Sequence, residues 1–430
     1  MKVLMFGWEF PPHIAGGLGT ACEGIVKGLA HNGVETLFVM PSASGDEDQS
    51  CATILNASDV AANHVSDTVE EFLNKVKFIN VDSSIVPYVD PEEYFEAIEK
   101  MKREQTKETT VGFGQKFKFS GKYGANLLEE VSRYAQVGGT IAMQHAGEFD
   151  VIHAHDWLTY LAGIAAKELS GKPLVVHVHA TSFDRGTDDM VDSRVYSIEK
   201  RGMEAADRVV TVSDLTRNIV INKYGIDPAK VVTVHNAVDF SGRENLQVDR
   251  GVRDKVVTFL GRITFQKGPE YFIEAAAKVL KRTKNVRFVM AGSGDMMNRA
   301  IRQVARLGIS DRFHFTGFLR GQEVQKMFAL SDVYIMPSVS EPFGISPLEA
   351  MRSNVPSIIS HQSGAAEVLK YALKVDFWDV DAMADDIYAL LQYPALSDFA
   401  NRQGFDEVNA LKWNNATLKL KKVYESVVNS

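Results

Sequence analysis

The feature that most constrains the fold is an alternation between short apolar runs and segments with a helical pattern. In the first half of the chain the apolar runs include "VETLFVM", "PLVVHVHA" and "ADRVVTVS", and helical segments such as "TYLAGIAAKELSG" separate them. Continuous Val, Ile and Leu runs that are bounded by helices are typical of parallel strands buried on both faces. The pattern therefore predicts an α/β protein with a doubly wound parallel sheet.

The same rhythm starts again after about residue 250, with "KVVTFLGR", "VRFVMAGSG", "FHFTGFL" and "DVYIMPS" each leading into a helical segment. A chain of 430 residues exceeds the roughly 250–300 residues at which one hydrophobic core stops growing. We therefore predict two Rossmann-like domains, at residues 1–240 and 241–412. The polar segment 240–254 is the predicted linker.

Residues from about 85 to 130 interrupt the rhythm of the first domain. This stretch is charged, then rich in glycine and aromatic residues, and then helical, so we interpret it as an insertion with a loop near 104–124. Two interpretations stay open for it. It is either a solvated excursion or a flap that binds an acceptor.

Composition limits the classes of partner and compartment. A net charge of −8 argues against a dedicated nucleic-acid binder, which needs a basic face, and is compatible with a neutral carbohydrate. The two cysteines, Cys22 and Cys51, are too few for a disulfide framework or a cysteine zinc site, which favours the reducing cytoplasm. No run approaches the ~18 apolar residues of a membrane span, so we expect no stable membrane insertion.

A glycine-rich turn follows the first predicted strand, in "PPHIAGGLGTACEG". Gly17 and Gly19 stand where a helix begins, and backbone N–H groups at such a position can approach an anion. The spacing is not the full dinucleotide fingerprint. A tight strand-to-helix turn explains the same glycines.

Two later loops carry groups that suit a diphosphate. Arg262 and Lys267 follow the strand "KVVTFL", and two cations at the carboxyl end of a strand can neutralise phosphate oxygens. Ser293 and Gly294 end the next strand, and can offer a hydroxyl and a backbone N–H. For the loop that carries Arg262 and Lys267, the alternative interpretation is a solvated charged loop.

The stretch "SEPFGISPLEAM" is the most informative in the chain. Pro347 suits the first position of a helix with Ser346 as its N-cap, which places Glu349 in the first turn and Glu341 in the loop above it. Carboxylates can accept hydrogen bonds from sugar hydroxyls. The N–H groups of Gly344, Ile345 and Ser346 lie between the two glutamates in the sequence and can donate hydrogen bonds to phosphate.

"GRITFQKG", "AGSG", "FTGFL" and "PSVSEPFGISPLEAM", in this order, resemble the C-terminal domain of retaining GT-B glycosyltransferases, with Glu341 and Glu349 matching the E-x7-E signature. "AGGLG", "VIHAHDW" and "WNN" before a final helix resemble more narrowly the glycogen and starch synthases, and most closely their compact, archaeal-like type. The resemblance implies two Rossmann-like domains that face each other across a deep cleft. It also implies that a helix at about 413–430 completes the first, acceptor-side domain, and that the second domain binds the nucleotide sugar.

The resemblance assigns roles to the candidate residues. The catalytic set that it implies is Arg262 and Lys267 at the diphosphate, Glu341 at the donor sugar, and His155. Glu349 would bind ribose hydroxyls. The remaining donor-binding residues are Gly17, Gly19, His179, Ser293, Gly294, Gly344, Ile345 and Ser346.

Whether His155 or His179 contacts the donor sugar stays open. We expect His153 and His177, which precede them by two residues, to point to the opposite face of the sheet.

The function that follows is transfer of glucose from ADP- or UDP-glucose to the non-reducing end of an α-1,4-glucan, without a metal or other cofactor. The "DVD" at 379–381 opens a helical segment, so we interpret it as a helix N-terminus rather than a metal site.

The alternative function is a retaining transfer from another nucleotide sugar to a small, polysaccharide or lipid-linked acceptor. It is kept open because Ile14 stands where bacterial glycogen synthases carry a lysine, two residues before the paired glycines. A nucleotide-sugar-binding regulator and a sugar 2-epimerase are disfavoured by the intact arginine, lysine and glutamate positions. The oligomeric state is open.

Overall fold

The computed structural model describes residues 1–13, 17–63, 66–69, 115–121, 123, 126–186, 191–238, 248, 251 and 253–429. Most of the predicted insertion and its loop, and most of the predicted linker, lie outside these described residues. The chain divides into two compact units. The first comprises Met1–Phe183, Thr187–Asn236 and Trp413–Ser430, and the second comprises Asp184–Gly186 and Ala237–Lys412.

The first unit is built on a seven-stranded parallel sheet, as the apolar runs predict. The strand order is β3-β2-β1-β6-β7-β8-β9. Its strands are β1 (Lys2–Phe6), β2 (Glu35–Met40), β3 (Thr53–Asn56), β6 (Val151–His155), β7 (Leu174–Val178), β8 (Arg208–Thr211) and β9 (Val231–Thr233). A separate antiparallel pair joins β4 (Ala61–Ala62) and β5 (Gln115–Lys116).

Helices on both faces account for the continuous apolar character of these strands. The helices of this unit are α1 (Gly17–His31), α2 (Leu127–Gln144), α3 (Trp157–Ser170), α4 (Ser182–Arg185) at its border, α5 (Ser193–Ala205), α6 (Asp214–Tyr224) and α14 (Trp413–Val428). Leu4, Phe6, Ile152 and Ala154 are buried on one face, where Tyr134 of α2 lies edge-on to Phe6. The residues that alternate with these along the two strands are buried as well, which confirms a sheet that is covered on both sides.

The last helix, α14, packs on α1 within the first unit. The contact needs two glycines: a Cβ on Gly24 would lie 2.1 Å from Trp413 Nε1, and one on Gly28 would lie 2.6 Å from Thr417 Oγ1. The side chain of Asn32 adds hydrogen bonds from Nδ2 to the Asn414 carbonyl and to Thr417, both at 2.9 Å. Small residues in α1 therefore let the two helices approach closely.

The second unit contains a six-stranded parallel sheet with the order β12-β11-β10-β13-β14-β15. Its strands are β10 (Lys255–Leu260), β11 (Val286–Ala291), β12 (Phe313–Gly317), β13 (Val333–Met336), β14 (Ser357–Ser360) and β15 (Leu373–Val375). Its helices are α7 (Pro269–Arg282), α8 (Met297–Arg306), α9 (Gln322–Leu330), α10 (Ser346–Arg352), α11 (Ala365–Val368), α12 (Val380–Gln392) and α13 (Pro394–Ala410). Two Rossmann-like parallel sheets thus confirm the predicted fold class.

The "DVD" motif has the structural role expected from its sequence context. Asp379 is the N-cap of α12, and its Oδ1 accepts a hydrogen bond of 2.9 Å from the N–H of Ala382. Asp381 forms an ion pair with Lys278 of α7. Both carboxylates are therefore used by the helix and its neighbour.

Candidate active site

The candidate residues of the second unit lie at the carboxyl edge of its sheet. Arg262 and Lys267 follow β10, Ser293 and Gly294 follow β11, and Glu341 follows β13. These three strands are direct neighbours in the order β11-β10-β13. Since parallel strands end at a common edge, residues that are up to 79 positions apart come together there.

Lys267 and Glu341 form an ion pair between Nζ and Oε2. The side chain of Glu341 is 8% exposed and that of Lys267 is 20% exposed, so the pair is largely shielded from water. Ser338 adds a hydrogen bond of 3.3 Å from its hydroxyl to the same carboxylate oxygen. Two members of the predicted catalytic set are therefore in direct contact.

The path of the β10 loop explains how Lys267 reaches this position. Gly268 has a φ of +65°, and a Cβ there would lie 2.1 Å from the carbonyl oxygen of Pro337. Only glycine permits so close an approach with that backbone conformation. The lysine is thereby held beside the loop that follows β13.

Gly294 also has a packing role. A Cβ on this residue would lie 2.3 Å from the Ile263 carbonyl oxygen, and the N–H of Ile263 donates to the carbonyl of Ser293 at 2.8 Å. The ends of β10 and β11 are thus joined through their backbones. The hydroxyl of Ser293 is the group at this point that a ligand could use.

The loop after β13 positions the two acids as the E-x7-E spacing predicts. The N–H of Glu341 donates to the Gln362 carbonyl at 2.9 Å, which fixes the loop on the next strand connection. Helix α10 begins at Ser346, with Pro347 in its first turn and Glu349 after it. The predicted N-cap at Ser346 is wrong by one residue, because the N-cap is Ile345 and no side chain caps the helix.

Backbone donors at this loop are available. Among the described residues, none accepts a hydrogen bond from the N–H groups of Gly344, Ile345 or Ser346. Glu349 is half-buried, and loss of water raises the pKa of its carboxyl group. The loop therefore offers N–H donors, and it offers a carboxylate whose charged form a hydroxyl donor would stabilise.

Tyr334 of β13 was not among the predicted site residues. Burial raises the pKa of its phenol above the ordinary value, and the nearby charges of Glu341 and Glu349 raise it further. Its hydroxyl donates to the Leu260 carbonyl at 3.3 Å, at the end of β10. The only signal in the sequence was its place in the strand "DVYIM", which does not distinguish it from a core tyrosine.

Phe318 was missed as well. It follows β12 at the same edge of the sheet, its side chain is 49% exposed, and the guanidinium of Arg320 lies 5.2 Å from its ring centroid. An exposed aromatic ring after β12, the neighbour of β11, offers a flat apolar face. In the sequence, "FTGFL" indicated a strand and contributed to the family resemblance, but nothing in it singled out the ring of Phe318.

The first unit holds a row of four histidines. The ring centroids of His153 and His155 are 4.2 Å apart, and those of His177 and His179 are 4.4 Å apart. The expectation that His153 and His177 point to the opposite face from the other two is wrong. Side chains on a strand alternate with a period of two, so residues two positions apart share a face.

His155 and His179 differ in exposure. His155 is fully buried, whereas His179 is half-buried, and His155 Nδ1 lies 2.9 Å from His179 Nε2. Asp156 Oδ1 accepts hydrogen bonds from the N–H groups of His179 at 2.7 Å and of Ala180 at 3.3 Å, which holds the segment after β7. Of the two, His179 is the one that lies toward the surface of this unit.

Burial keeps this row uncharged. It lowers the pKa of His179 to about 3 and holds the pKa of His153, His155 and His177 well below their usual range, with further lowering from neighbouring imidazoles. The rings are therefore neutral at physiological pH.

The helix start at Gly17 differs from the expected anion site in one respect. The N–H of Gly19 donates to Glu9 Oε1 at 3.0 Å, and Glu9 is only 5% exposed. A carboxylate therefore caps α1 at the position where a diphosphate was expected, so a donor contact to Gly19 requires Glu9 to move. Gly17 is exposed.

No helix in the described part of the chain is long and apolar enough to cross a membrane. The structure therefore gives no transmembrane helix within those residues.

Comparisons with known proteins agree with this architecture. A family model described as "Starch synthase catalytic domain" matches residues 2–231, and one described as "Glycosyl transferases group 1" matches residues 243–404. An uncharacterized glycosyltransferase of Methanocaldococcus jannaschii is 26% identical over 99% of this chain and 98% of its own length. A glycogen synthase of Mycobacterium tuberculosis is 22% identical over 99% and 94%.

A solved structure shows the same fold. The sucrose-phosphate synthase from Thermosynechococcus elongatus superimposes with a TM-score of 0.70 at 16% identity, and the match covers 99% of this chain and 98% of that one. The starch synthase model alone covers more than half of the chain. The chain is therefore a glycosyltransferase with the GT-B fold that belongs to the starch synthase catalytic domain family.

Proposed function

We propose that this protein is a retaining glycosyltransferase that moves glucose from ADP- or UDP-glucose to the non-reducing end of an α-1,4-glucan. The observation that carries the proposal is the Lys267–Glu341 ion pair at the sheet edge where Arg262 and Glu349 also lie. A nucleotide sugar combines an anionic diphosphate with many hydroxyls. This edge combines cations and N–H donors with carboxylates, which matches both parts of such a ligand.

In the proposed mechanism, negative charge grows on the diphosphate as the bond to the sugar breaks. Arg262 and Lys267 stabilise that charge, and such fixed electrostatic contacts typically contribute a factor of about 10²–10³ in rate each. Glu341 accepts a hydrogen bond from a hydroxyl of the donor sugar and holds Lys267 in place. The acceptor hydroxyl attacks from the face that the diphosphate leaves, and a departing phosphate oxygen takes its proton.

Other residues bind parts of the donor in this proposal. Glu349 accepts hydrogen bonds from the ribose hydroxyls, and the exposed face of Phe318 stacks on the base. Ser293 and the N–H groups of Gly344, Ile345 and Ser346 bind phosphate or sugar oxygens. No metal is needed at the diphosphate, so omitting Mg²⁺ or Mn²⁺ is expected to change the rate less than about twofold.

In the first unit, the family resemblance supports an acceptor-side role and a contact from a histidine to the donor sugar. We assign that contact to His179, since it is the more exposed of the two, and a positioning role to His155, which is hydrogen-bonded to it. His155→Ala and His179→Ala should both reduce turnover. His155→Asn, which can keep the hydrogen bond, should restore part of the loss, whereas His179→Asn should not.

The test of the proposed function is incorporation of radiolabelled glucose from ADP- or UDP-glucose, with and without glycogen. We expect label in ethanol-precipitable polymer that α-amylase releases. Lys267→Ala should reduce incorporation about 10²–10³-fold. Lys255→Ala is the matched control, because its amine is paired with Asp332 at 3.1 Å on an exposed surface.

The alternative function, transfer to a small or lipid-linked acceptor, is favoured by Ile14, which stands where bacterial glycogen synthases have a lysine. Label that appears only in a soluble or lipid-extracted product would support this alternative.

The Lys267→Ala variant also tests the mechanism itself. If this variant incorporates label at the wild-type rate, Lys267 has no part in the mechanism.

A further inference from the structure

Three histidines of the first unit converge on one point in its interior. His153 and His155 lie on β6 and His177 lies on β7, and a ring nitrogen of each is within 4.8 Å of those of the other two. All three side chains are at most 1% exposed. Nothing in the proposed transfer reaction uses His153 or His177.

The hydrogen bonds of this cluster use one ring nitrogen of His153 and one of His155. His153 Nδ1 is 2.7 Å from the hydroxyl of Tyr424 on α14, and His155 Nδ1 is 2.9 Å from His179 Nε2. Within the described residues, Nε2 of His153, Nε2 of His155 and both nitrogens of His177 have no hydrogen-bond partner. Buried polar atoms are almost always paired, so four unpaired nitrogens in one cluster call for an explanation.

His153 and His155 have the arrangement of histidines that bind a metal. One ring nitrogen coordinates the ion, and the other is held by a partner that fixes the tautomer and the orientation of the ring. At a Zn–N distance of about 2.0–2.1 Å, ring centroids around a tetrahedral ion lie roughly 5 Å apart. The centroid distances here are 4.2 Å for His153 and His155, and 5.4 Å from each of them to His177.

We propose that His153, His155 and His177 bind one Zn²⁺ ion, with Tyr424 and His179 as the partners that orient the first two rings. An all-imidazole ligand set suits Zn²⁺ and does not suit Mg²⁺ or Ca²⁺, which prefer oxygen. The ion links β6 to β7 and holds His155 in place beside His179, to which it is hydrogen-bonded. It lies in the first unit and is separate from the diphosphate chemistry, so the inference does not depend on the proposed function.

The primary experiment measures metal in untagged protein purified from cells grown with added Zn²⁺. We expect about one Zn²⁺ per chain by mass spectrometry. Protein refolded without metal and titrated with Co²⁺ should develop the visible absorption of a nitrogen-ligated site. Equimolar Zn²⁺ should then abolish that absorption.

Variants test whether the bound Zn²⁺ and the Co²⁺ absorption come from the histidine cluster. His177→Gln should remove stoichiometric Zn²⁺ and the Co²⁺ absorption, whereas His31→Gln, an exposed histidine at the end of α1, should leave both unchanged. Tyr424→Phe keeps all three nitrogens and loses only an orienting partner. It should weaken metal affinity about 10–100-fold, and this effect separates a metal site from a merely structural contact.

Two results would overturn the proposal. One is wild-type protein with no stoichiometric Zn²⁺ and no Co²⁺ absorption, which would indicate that water or neutral ring contacts fill the cluster. The other is an equal loss in His177→Gln and His31→Gln, which would place the ion elsewhere. Circular dichroism of each variant identifies any that fail to fold, and Tyr424→Phe then decides the question.

Discussion

Lys267 and Glu341 are joined by an ion pair although they lie 74 positions apart in the sequence. The pair connects the loop after β10 to the loop after β13, and Glu341 is nearly shielded from water. Breaking a buried pair by removing one partner is unfavourable, because the remaining charge stays desolvated. The same contact therefore supports both the proposed chemistry and the local structure.

A double-mutant cycle tests this coupling. Lys267→Met should lower the free energy of unfolding by about 3 kcal/mol, since it leaves Glu341 unpaired in a shielded position. Lys267→Met combined with Glu341→Gln should be clearly less destabilised than the sum of the single variants. Urea denaturation measures the four free energies. Strict additivity would show that the pair contributes nothing to stability.

Glu349→Gln should stabilise the protein while it impairs donor binding. The pKa of Glu349 is raised in the folded state, so ionisation of this group opposes folding at any pH above the unfolded pKa of about 4.3. The variant should raise Tm by roughly 2–4 °C at pH 7.5, the shift that about 1 kcal/mol produces in a domain of this size. The gain should disappear near pH 4. A lower Tm for the variant at pH 7.5 would contradict this account.

The histidine row should make the first unit sensitive to acid. The folded pKa values of its members lie below the unfolded value, so its contribution to stability is complete above about pH 6.5 and is lost as the pH falls below that value. Each imidazole contributes up to about 1.4 kcal/mol per pH unit in that window. A bound metal acts in the same direction, because it also needs unprotonated imidazole.

The measurement for this prediction is the free energy of unfolding in urea at pH 7.5, 6.0 and 5.0. His177→Gln removes one imidazole, so the dependence on pH should become shallower by up to about 1.4 kcal/mol per unit. His31→Gln should keep the wild-type slope. Equal slopes for wild type and His177→Gln would exclude the row as the source of acid sensitivity.

Gly24→Ala should loosen the last helix. The added Cβ would lie 2.1 Å from Trp413 Nε1, and overpacking of this kind typically costs about 1–3 kcal/mol. Gly147→Ala is the matched control, because nothing lies within 4 Å of its added Cβ. Thermal unfolding, with tryptophan fluorescence as a probe, should show a lower Tm for Gly24→Ala alone. Equal Tm values for Gly24→Ala and the control would mean that α14 moves aside without loss of stability.

The sequence predicted the fold and the neighbourhood of the second-unit residues for one physical reason. Parallel strands end at a common edge, so loops after β10, β11 and β13 had to meet once the strands were recognised. It could not predict which groups pair there. The contact of Lys267 with Glu341, the place of Tyr334 beside two acids, and the capping of Gly19 by Glu9 depend on the path of each loop in three dimensions.

The prediction for the histidine row was wrong for a different reason. Its four members were visible in "VIHAH" and "VVHVHA", and the alternation of side chains along a strand was enough to place each pair on one face. What the sequence did not contain was the match of β6 to β7, which sets His155 opposite His177. Register between neighbouring strands depends on packing rather than on local pattern.

The position of α14 has a consequence for biosynthesis. This helix follows the whole second unit in the chain and packs on α1 around Gly24 and Gly28. The first unit therefore begins to leave the ribosome first, but its packing is complete only when α14 has been translated. The second unit has all of its strands translated earlier, and can fold co-translationally while the first still presents an unfilled apolar surface. A chaperone that binds nascent chains should therefore stay associated until α14 has emerged.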